Sequence, residues 1–410
     1  MNLHESESPP QRRLMGPGPS DVHPRVYRAL AAPIVGHLDP HFLELMNRVQ
    51  EMLRAIFQTR NPLTLAISGT GSAGMEAALV NTIEPGDEVL VCQNGVFGGR
   101  MADIVERIGG KLVKIERPWG EVFAPEDVRA ALDAHPGVRV VAIVHAETST
   151  GAHQPLEAIG RLCRERDKLF VVDAVTSLAG LELSVDDWLI DVCYSGTQKC
   201  LSCPPGLAPI TFGERALAKL RARRSKPVSW YLDLSMIEGY WSEGKRAYHH
   251  TAPISMNYAL REALALVLEE GLDARWRRHA LHSRALTAGL GALGFRMFAR
   301  EGHCLPTLNA VWIPDDVSRA LPDAQIRRRL LDEFNLEIGG GLGAVAGKIW
   351  RIGLMGESSR REHVLALLSA LESILFSAGV RPSAGTGLTA ACAVYRDADA
   401  REAASAPSAR

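Results

Sequence analysis

The sequence lacks an excess of charge of either sign. Its 410 residues include 46 Lys and Arg against 47 Asp and Glu, so the formal net charge is −1. Without a basic or acidic surplus there is no electrostatic basis for binding nucleic acid or an anionic membrane surface, and we expect neither partner. The sequence also lacks any apolar run of the roughly 18 residues that a membrane-spanning helix needs.

Cysteines and targeting signals are also scarce. Seven Cys, an odd number in a long chain, do not suggest a disulfide framework and favour a reducing compartment. Cys200 and Cys203 form a single CxxC without a second pair, so we expect no metal site. Residues 1–7 are polar and acidic, without a signal-peptide core, and Ser408-Ala409-Arg410 does not match the peroxisomal Ser-Lys-Leu signal. We therefore expect a cytoplasmic protein.

Apolar runs that alternate with amphipathic segments are what the sequence does contain. Several are continuous Val, Ile and Leu stretches, typical of strands buried on both faces of a parallel sheet. Their alternation with helices predicts an α/β fold with a mostly parallel seven-stranded sheet. The predicted strands are residues 63–67, 88–92, 111–115, 138–144, 169–172, 192–194 and 207–212, and helices between them include 72–82, 97–109, 125–134 and 155–166.

The length of the chain indicates two folded domains. We expect an N-terminal arm over residues 1–13, a large domain over 14–271, and a small C-terminal α+β domain over 272–378. Residues 379–410 are rich in Ala, Ser, Gly and charged residues, which predicts a partly disordered tail.

A glycine-rich turn follows the first predicted strand and opens a helix. Ser68-Gly69-Thr70-Gly71-Ser72 can present backbone N–H groups and a helix dipole to a phosphate. Gly69, Gly71 and Gly74 also match the dinucleotide fingerprint GxGxxG, which requires an acidic residue at the end of the next strand. That strand ends at Gln93-Asn94 instead, so we favour a monophosphate site over a dinucleotide site.

Lys199 and Asp173 together indicate the cofactor. Asp173 ends an apolar strand, where a buried carboxylate is costly unless it is paired. Lys199 is flanked by small or uncharged residues, unlike a typical surface lysine. Pyridoxal phosphate (PLP) requires a Lys amine for its Schiff base and an acid beside its pyridinium nitrogen. The pair therefore predicts PLP, with a helix-capping Asp and a solvated Lys as the alternatives.

Four further residues each have a functional interpretation. Phe97 is suited to stack on the cofactor ring, with a core residue as the alternative. Thr148 can donate to the ring hydroxyl, with a helix cap as the alternative. Val175 can pack against the opposite ring face. Arg351, in a short apolar strand, can bind a substrate carboxylate bidentately, with a structural salt bridge as the alternative.

The whole set of motifs resembles the class V aminotransferases of PLP fold type I, in particular the alanine–glyoxylate (serine–pyruvate) enzymes. The resemblance covers roughly residues 14–376 and implies a large PLP-binding domain followed by a small α+β domain. The segments that carry it are Gly16-Pro17-Gly18-Pro19-Ser20, Phe57 to Thr64, Glu76 to Asn81, Ser195-Gly196-Thr197-Gln198-Lys199, Tyr248-His249-His250-Thr251 and Arg351-Ile352-Gly353-Leu354.

The resemblance implies a role for each site residue. Lys199 forms the internal aldimine and Asp173 binds the pyridine nitrogen. Arg351, helped by the Gly18 loop, binds the substrate carboxylate. The phosphate contacts come from Thr70, Gly71, Ser72 and Gln198, and from Tyr248 and Thr251 of the other subunit of a homodimer.

The implied reaction is transamination of alanine or serine with glyoxylate, in a ping-pong sequence through the Lys199 aldimine. Its partners are a small amino acid and a 2-oxo acid, and its products are pyruvate or hydroxypyruvate and glycine. The related ureidoglycine–glyoxylate aminotransferases share several segments, but carry Gln in place of His37 and Asn in place of Trp230. Trp230 and Pro253 follow the alanine–glyoxylate pattern, so Trp230 is predicted to bind substrate and ureidoglycine is the alternative donor.

The sequence departs from the family at two positions. Phe97 stands where the animal enzymes carry Trp, which retains ring stacking. Ser72 stands where they carry His, which weakens one phosphate contact. A PLP lyase or cysteine desulfurase is a further alternative, with Cys304 as the only loose candidate for the loop cysteine that such enzymes need.

Overall fold

The computed structural model describes residues 8–242, 246–380 and 385–405. Its strands are β1 (Arg13–Leu14), β2 (Leu63–Ser68), β3 (Glu88–Gln93), β4 (Lys111–Glu116), β5 (Val138–Val144), β6 (Ala146–Glu147), β7 (Ala152–His153), β8 (Leu169–Asp173), β9 (Val192–Tyr194), β10 (Leu207–Phe212), β11 (Arg296–Met297), β12 (Leu308–Trp312), β13 (Leu336–Glu337), β14 (Gly339–Gly340) and β15 (Ile349–Gly353). Its α-helices are α1 (Pro24–Leu30), α2 (Pro40–Phe57), α3 (Gly71–Thr82), α4 (Val96–Ile108), α5 (Pro125–Ala134), α6 (Glu157–Glu165), α7 (Glu214–Arg221), α8 (Leu234–Trp241), α9 (Ile254–Glu270), α10 (Leu272–Ala292), α11 (Asp315–Ala320), α12 (Asp323–Phe334), α13 (Arg361–Ser377) and α14 (Thr386–Ser405).

The large domain is built on a seven-stranded sheet in the order β2-β10-β9-β8-β5-β3-β4. In this sheet β10 runs antiparallel to β2 and β9, and the other adjacent pairs are parallel. The predicted mostly parallel seven-stranded sheet is confirmed. Because β2, β3, β5, β8 and β9 run in the same direction, their carboxyl ends meet at one edge, where open α/β sheets bind ligands.

The apolar character of these strands follows from their position in the sheet. All residues of β8, β9 and β10 are buried, whereas the residues of β4, at the edge, are intermediate or exposed. The central strands share one hydrophobic core with apolar side chains of α2, α3 and α9. A sheet covered on both faces in this way leaves its strand ends as the accessible places for polar side chains.

The small domain contains a four-stranded antiparallel sheet in the order β11-β12-β15-β14. Trp350 of β15 and Leu371 of α13 are buried in its core. The N-terminal β1 pairs in parallel with β13, and Met15 packs in the same core. The chain therefore runs from the small domain directly to the Lys199 segment, where Ser20 donates to the Lys199 carbonyl at 2.7 Å.

The residues after α13 form a helix, α14, in the part of the chain that the structure describes. Ala391 and Tyr395 of α14 are buried in the small-domain core. The partly disordered tail was predicted over residues 379–410, of which 381–384 and 406–410 lie outside the described residues. The domain limits stay a prediction. None of the helices in the described ranges has the length and apolar character to cross a membrane.

Candidate active site

Side chains from several strands meet at the carboxyl edge of the large sheet. Asp173 is the last residue of β8, and Lys199 follows β9. The turn at Gly71 follows β2, Phe97 follows β3, and Thr148 comes after β5 and β6. Residues that are far apart in the chain become neighbours here because these strands run in one direction.

Asp173 is buried, and two hydrogen bonds hold its carboxylate. The Val175 N–H donates to Oδ1 at 2.8 Å, and the Tyr194 hydroxyl donates to Oδ2 at 2.9 Å. Burial raises the pKa of Asp173 to about 7, although both hydrogen bonds act to lower it. A cationic ring nitrogen beside this carboxylate would oppose the effect of burial, so the site is electrostatically suited to a pyridinium.

Lys199 is also buried, and its ammonium group donates to the backbone carbonyl of Pro17. Burial lowers the pKa of Lys199 to about 8, and the charge of Arg351 acts in the same direction. Gly18 lies against this side chain with a φ of +104°, and a Cβ there would lie 2.4 Å from the Lys199 Nζ. Both the backbone conformation and the close approach therefore require glycine at position 18.

The glycine-rich turn forms a narrow cradle between two backbone segments. A Cβ on Gly71 would lie 3.4 Å from the Gly196 Cα, and a Cβ on Gly196 would lie 2.8 Å from the Gln198 Oε1. Gln198 Oε1 is buried and has no hydrogen-bond partner among the described residues. Thr70, at the N-cap of α3, makes no side-chain capping hydrogen bond. The cradle therefore offers helix N–H groups, a hydroxyl and an amide to an anion.

Phe97 lies at the start of α4, half-buried, beside this cradle. The guanidinium carbon of Arg100 lies 5.0 Å from the centre of the Phe97 ring, a cation–π contact. The same guanidinium donates to the Ser72 hydroxyl at 3.2 Å. Arg100 therefore brings a positive charge to the turn in which Ser72 stands.

Thr148 and Arg351 are adjacent. Arg351 is buried and donates from Nε to the Gly340 carbonyl at 2.8 Å and from Nη1 to the Thr148 carbonyl at 3.3 Å. Burial lowers the pKa of Arg351, while the charge of Glu147 opposes this shift. Because both hydrogen bonds go to carbonyls, the guanidinium keeps further donors for a substrate carboxylate. The Thr148 hydroxyl lies 2.5 Å from that of Thr176.

Besides Thr70 and Ser72 of the glycine-rich turn, which are also exposed, three of the predicted site residues lie on the surface. Tyr248 is 60% exposed and Trp230 is 61% exposed. Thr251 is exposed as well, with its hydroxyl 3.4 Å from that of Tyr248. The segment is linked to the phosphate turn by His250, whose Nε2 lies 2.7 Å from the Ser68 hydroxyl. These three side chains do not join the buried group around Lys199, and their roles stay predictions.

The comparison with known protein families gives a match over most of the chain. The aminotransferase class-V family model matches residues 25–320. The chain belongs to the class V aminotransferases. The family and the type of enzyme predicted from the sequence are thereby confirmed.

Individual relatives of this class V aminotransferase cover nearly its whole length. The (S)-ureidoglycine–glyoxylate transaminase of Bacillus subtilis is 45% identical, over 95% of this chain and 96% of the relative. Alanine–glyoxylate aminotransferase of Rattus norvegicus is 40% identical, over 91% of this chain and 90% of the relative.

Solved structures have the same fold. The crystal structure of alanine–glyoxylate aminotransferase from Nostoc sp. superposes with a TM-score of 0.88 and 49% identity, over 90% of this chain and 97% of that chain. The structure of the Bacillus subtilis ureidoglycine–glyoxylate aminotransferase superposes with a TM-score of 0.92 and 46% identity, over 96% of this chain and 100% of that chain. The predicted fold type I class V architecture is confirmed by these neighbours.

The residues of this class V aminotransferase fit PLP, the cofactor that the family implies. Asp173 is a buried carboxylate in need of a cation, and Lys199 is a buried amine nearby. The cradle between Gly71 and Gly196 would be filled by side chains larger than glycine. Gln198 has a buried end without a partner in the described part of the chain, and an amide nitrogen turned to that position would donate to a phosphate oxygen.

Two residues of the site were missed from the sequence. Tyr194 donates to Asp173 from the neighbouring strand β9, and Arg100 lies over Phe97. Tyr194 was hidden within an apolar run, although a hydroxyl at the end of a buried strand must find a partner. Arg100 lies three residues after Phe97 in a predicted helix, and this spacing indicates that the two side chains are neighbours.

Proposed function

We propose that this class V aminotransferase uses PLP to transfer an amino group from alanine or serine to glyoxylate, giving pyruvate or hydroxypyruvate and glycine. The observation that carries the assignment is one buried site with a Lys199 amine, an Asp173 carboxylate and an Arg351 guanidinium. An amino acid has its amine and its carboxylate on the same carbon. The Arg351 guanidinium is suited to the substrate carboxylate, and the nearby Lys199 is suited to chemistry at the substrate amine.

Each of the three residues has a distinct role. Lys199 moves the proton of the substrate α-carbon, because a pKa of about 8 leaves part of its amine neutral near pH 7. Asp173 keeps the pyridine nitrogen protonated. Arg351 orients the substrate carboxylate with its remaining donors. When bound, PLP supplies the aldehyde that accepts the amino group and the ring that delocalises the electrons of the α-carbon.

The Gly18 loop favours a small amino donor. A Cβ on Gly18 would come within 2.9 Å of three atoms of the Lys199 side chain, so the loop leaves little space on that side of the amine. Alanine and serine have the side chains that such a site accommodates. Relatives named as alanine–glyoxylate aminotransferases support the same choice.

Ureidoglycine is the second candidate for the amino donor. The Bacillus subtilis relative named for that substrate matches almost the whole chain, including its C-terminal region. The ureidoglycine–glyoxylate aminotransferases, which this chain resembles, carry Asn at the position of Trp230. If Trp230 excludes ureidoglycine, Trp230→Asn increases the rate with that donor, and an unchanged rate removes Trp230 from the specificity determinants.

The test is a half-reaction followed by absorbance. Purified holoenzyme is mixed with L-alanine, L-serine or freshly prepared ureidoglycine, without acceptor, while the band of the bound cofactor is recorded. We expect alanine or serine to remove the band and glyoxylate to restore it, with no response in the Lys199→Ala variant. A response to ureidoglycine alone would replace the first proposal by the second, and turnover by Lys199→Ala would contradict both.

We further propose a cytoplasmic homodimer in which Tyr248 and Thr251 of each subunit contact the cofactor phosphate in the partner subunit's site. Their exposure in the single chain supports this arrangement, because a buried pair would be unable to reach a second copy. All seven Cys are free thiols, which supports a reducing compartment such as the cytoplasm.

A further inference from the structure

Glu147 is a buried carboxylate that is separate from the residues proposed to bind the cofactor or the substrate. It ends β6 and is fully shielded from solvent. Its Oε2 accepts hydrogen bonds from the backbone N–H groups of Phe97, at 3.1 Å, and Gly98, at 3.3 Å. Its Oε1 accepts from the N–H of Ser149 at 3.0 Å and from the Ser149 hydroxyl at 2.6 Å. Three backbone donors point at this carboxylate, so it serves as an acceptor.

These contacts place Glu147 at the N-terminus of α4. The first N–H groups of a helix have no partner within the helix, and Gly95, the N-cap, has no side chain to bond them. Glu147 accepts from two of them, and the Ser149 hydroxyl accepts from a third, that of Val96, at 3.0 Å. An anion there also interacts favourably with the helix dipole. Glu147 therefore caps α4 from a different element.

The close approach of the two segments depends on glycine. A Cβ on Gly95 would lie 2.4 Å from the Glu147 carboxyl carbon. Position 95 therefore admits the buried carboxylate only because it has no side chain. The contact therefore depends on the residues at both positions: a glycine at 95 and a glutamate at 147.

The same carboxylate also interacts with Arg351 through its charge. Its charge opposes the lowering of the Arg351 pKa by burial. Thr148, the residue after Glu147, accepts the hydrogen bond from Arg351. Glu147 thus lies between the helix that carries the stacking ring and the guanidinium assigned to the substrate carboxylate.

We propose that Glu147 is a positioning residue of the cofactor site, which holds the start of α4 so that Phe97 lies flat against the cofactor ring. The inference rests on the PLP site proposed above. Glu147 acts through the Phe97 backbone, and its removal leaves Lys199 and Asp173 in place. Loss of the carboxylate frees the start of α4, so the ring of Phe97 stacks less well.

Glu372 offers a matched control far from the site. It is a buried glutamate in α13 that accepts from the backbone N–H groups of Gly385, at 2.9 Å, and Gly387, at 2.5 Å, at the start of α14. Replacing either glutamate by Gln puts an amide nitrogen, which cannot accept, against backbone donors. The two variants therefore share the same structural defect, and only Glu147→Gln affects the site.

The test is titration of the cofactor-free, full-length proteins with PLP, together with thermal unfolding. We expect both variants to unfold at a lower temperature than the wild type. We expect the Kd for PLP to rise about tenfold in Glu147→Gln and to stay unchanged in Glu372→Gln. If Glu147→Gln does not fold, Ser149→Ala removes the hydroxyl that donates to this carboxylate and accepts from the Val96 N–H, and it is expected to raise the Kd about threefold.

A double-mutant cycle tests the route through Phe97. If Glu147 acts by holding this ring, Glu147→Gln has little further effect on the PLP Kd in a Phe97→Ala background. Additive effects of the two substitutions, or an unchanged Kd in folded Glu147→Gln or folded Ser149→Ala, would overturn the inference and leave the PLP site intact. Failure of the wild type to bind PLP would instead contradict the proposed function itself.

Discussion

At the scale of single residues, burial shifts the two central groups of the site in opposite directions. It raises the pKa of Asp173 to about 7 and lowers the pKa of Lys199 to about 8. Both shifted pKa values lie near neutral pH, whereas the ordinary pKa values of Asp and Lys are far from it and from each other. A small change in surroundings, such as a bound cation, therefore changes their ionisation, which suits groups that hold or move protons.

Asp173→Asn is expected to stabilise the cofactor-free protein at alkaline pH. The pKa of Asp173 rises on folding from 3.8 to about 7, so its destabilising effect is complete above pH 7 and declines as the pH falls toward the unfolded value. The variant should have a free energy of unfolding ~2 kcal/mol above wild type at pH 8, and a smaller advantage at pH 5. Denaturant unfolding at both pH values checks this, and a less stable variant at pH 8 would contradict it.

Gly18→Ala is expected to lower activity strongly. The substitution forces a Cβ into the Lys199 side chain at a backbone φ of +104°, a conformation that costs alanine roughly 1–2 kcal/mol. We expect turnover with alanine and glyoxylate to fall about tenfold or more. Gly291→Ala is the control, because a Cβ at Gly291, in α10, meets nothing within 4 Å. Equal activities of the two variants would show that the Gly18 loop lies away from Lys199 in solution.

At the scale of elements, α14 is an integral part of the small domain. Its Tyr395 is buried, with the hydroxyl 3.0 Å from His282 Nδ1 of α10 and the ring 4.4 Å from the Arg361 guanidinium carbon. The Gly387 carbonyl would lie 2.9 Å from a Cβ on Gly289 of α10. Two helices that approach this closely depend on small residues at the contact.

Tyr395→Ala is expected to lower the free energy of unfolding by about 3 kcal/mol, because it leaves a cavity between α14 and α10. Tyr395→Phe loses only the hydrogen bond to His282, at about 1 kcal/mol. Denaturant unfolding of the two variants and the wild type gives both values. Wild-type stability of Tyr395→Ala would mean that α14 is detached from the small domain in solution.

Short elements were the least predictable from the sequence. Helices α1, α7 and α8 contain seven or eight residues each, too few for a clear helical period. The composition of α14 resembles a disordered segment, and its helix is stabilised by packing on α10 rather than by its own pattern. By contrast, Val138–Val144 was predicted with both ends, because all its residues except Arg139 are apolar and buried, a composition typical of a strand inside a parallel sheet.

At the scale of the whole molecule, the exposed aromatic residues form ring contacts with nearby histidines. The ring of Tyr248 lies 5.1 Å from that of His37, and the Trp230 ring stacks on His249 at 4.6 Å. Tyr231 contacts His250 at 5.2 Å. An exposed apolar surface of this kind marks a contact with another protein, which supports the proposed homodimer. Ile34 and Leu38, near His37 in the chain, are exposed as well as Trp230, Tyr231 and Tyr248.

Mixed dimers test whether Tyr248 serves the site of the partner subunit. Lys199→Ala and Tyr248→Ala are expected to be inactive and strongly impaired, respectively, as homodimers. Combined in one dimer, they leave one site with both native residues if Tyr248 reaches across, so refolding the two variants together should recover activity. Co-refolding without recovery would assign Tyr248 to its own subunit's site. Wild-type protein refolded with Lys199→Ala controls for subunit exchange.

The sequence by itself determined the class of fold and the type of enzyme, and it predicted the chemistry at the centre of the site. Strands buried in a parallel sheet can be recognised from a short stretch of sequence, because most of their residues are apolar. Asp173 and Lys199 were identifiable because polar residues beside such runs are unusual unless they have a partner. The family match over residues 25–320 confirms the type of enzyme that this pair predicted.

Only the tertiary structure decided how these residues are held. Glu147 bonds Phe97 across 50 positions, and Arg351 bonds the Thr148 carbonyl across 203 positions. Such pairs form only between residues whose strand ends are neighbours in the sheet. The order of the strands cannot be predicted from local sequence patterns, so these pairs could not be predicted either. The physical reason is that every buried donor and acceptor needs a partner, while the chain topology chooses which partner is within reach.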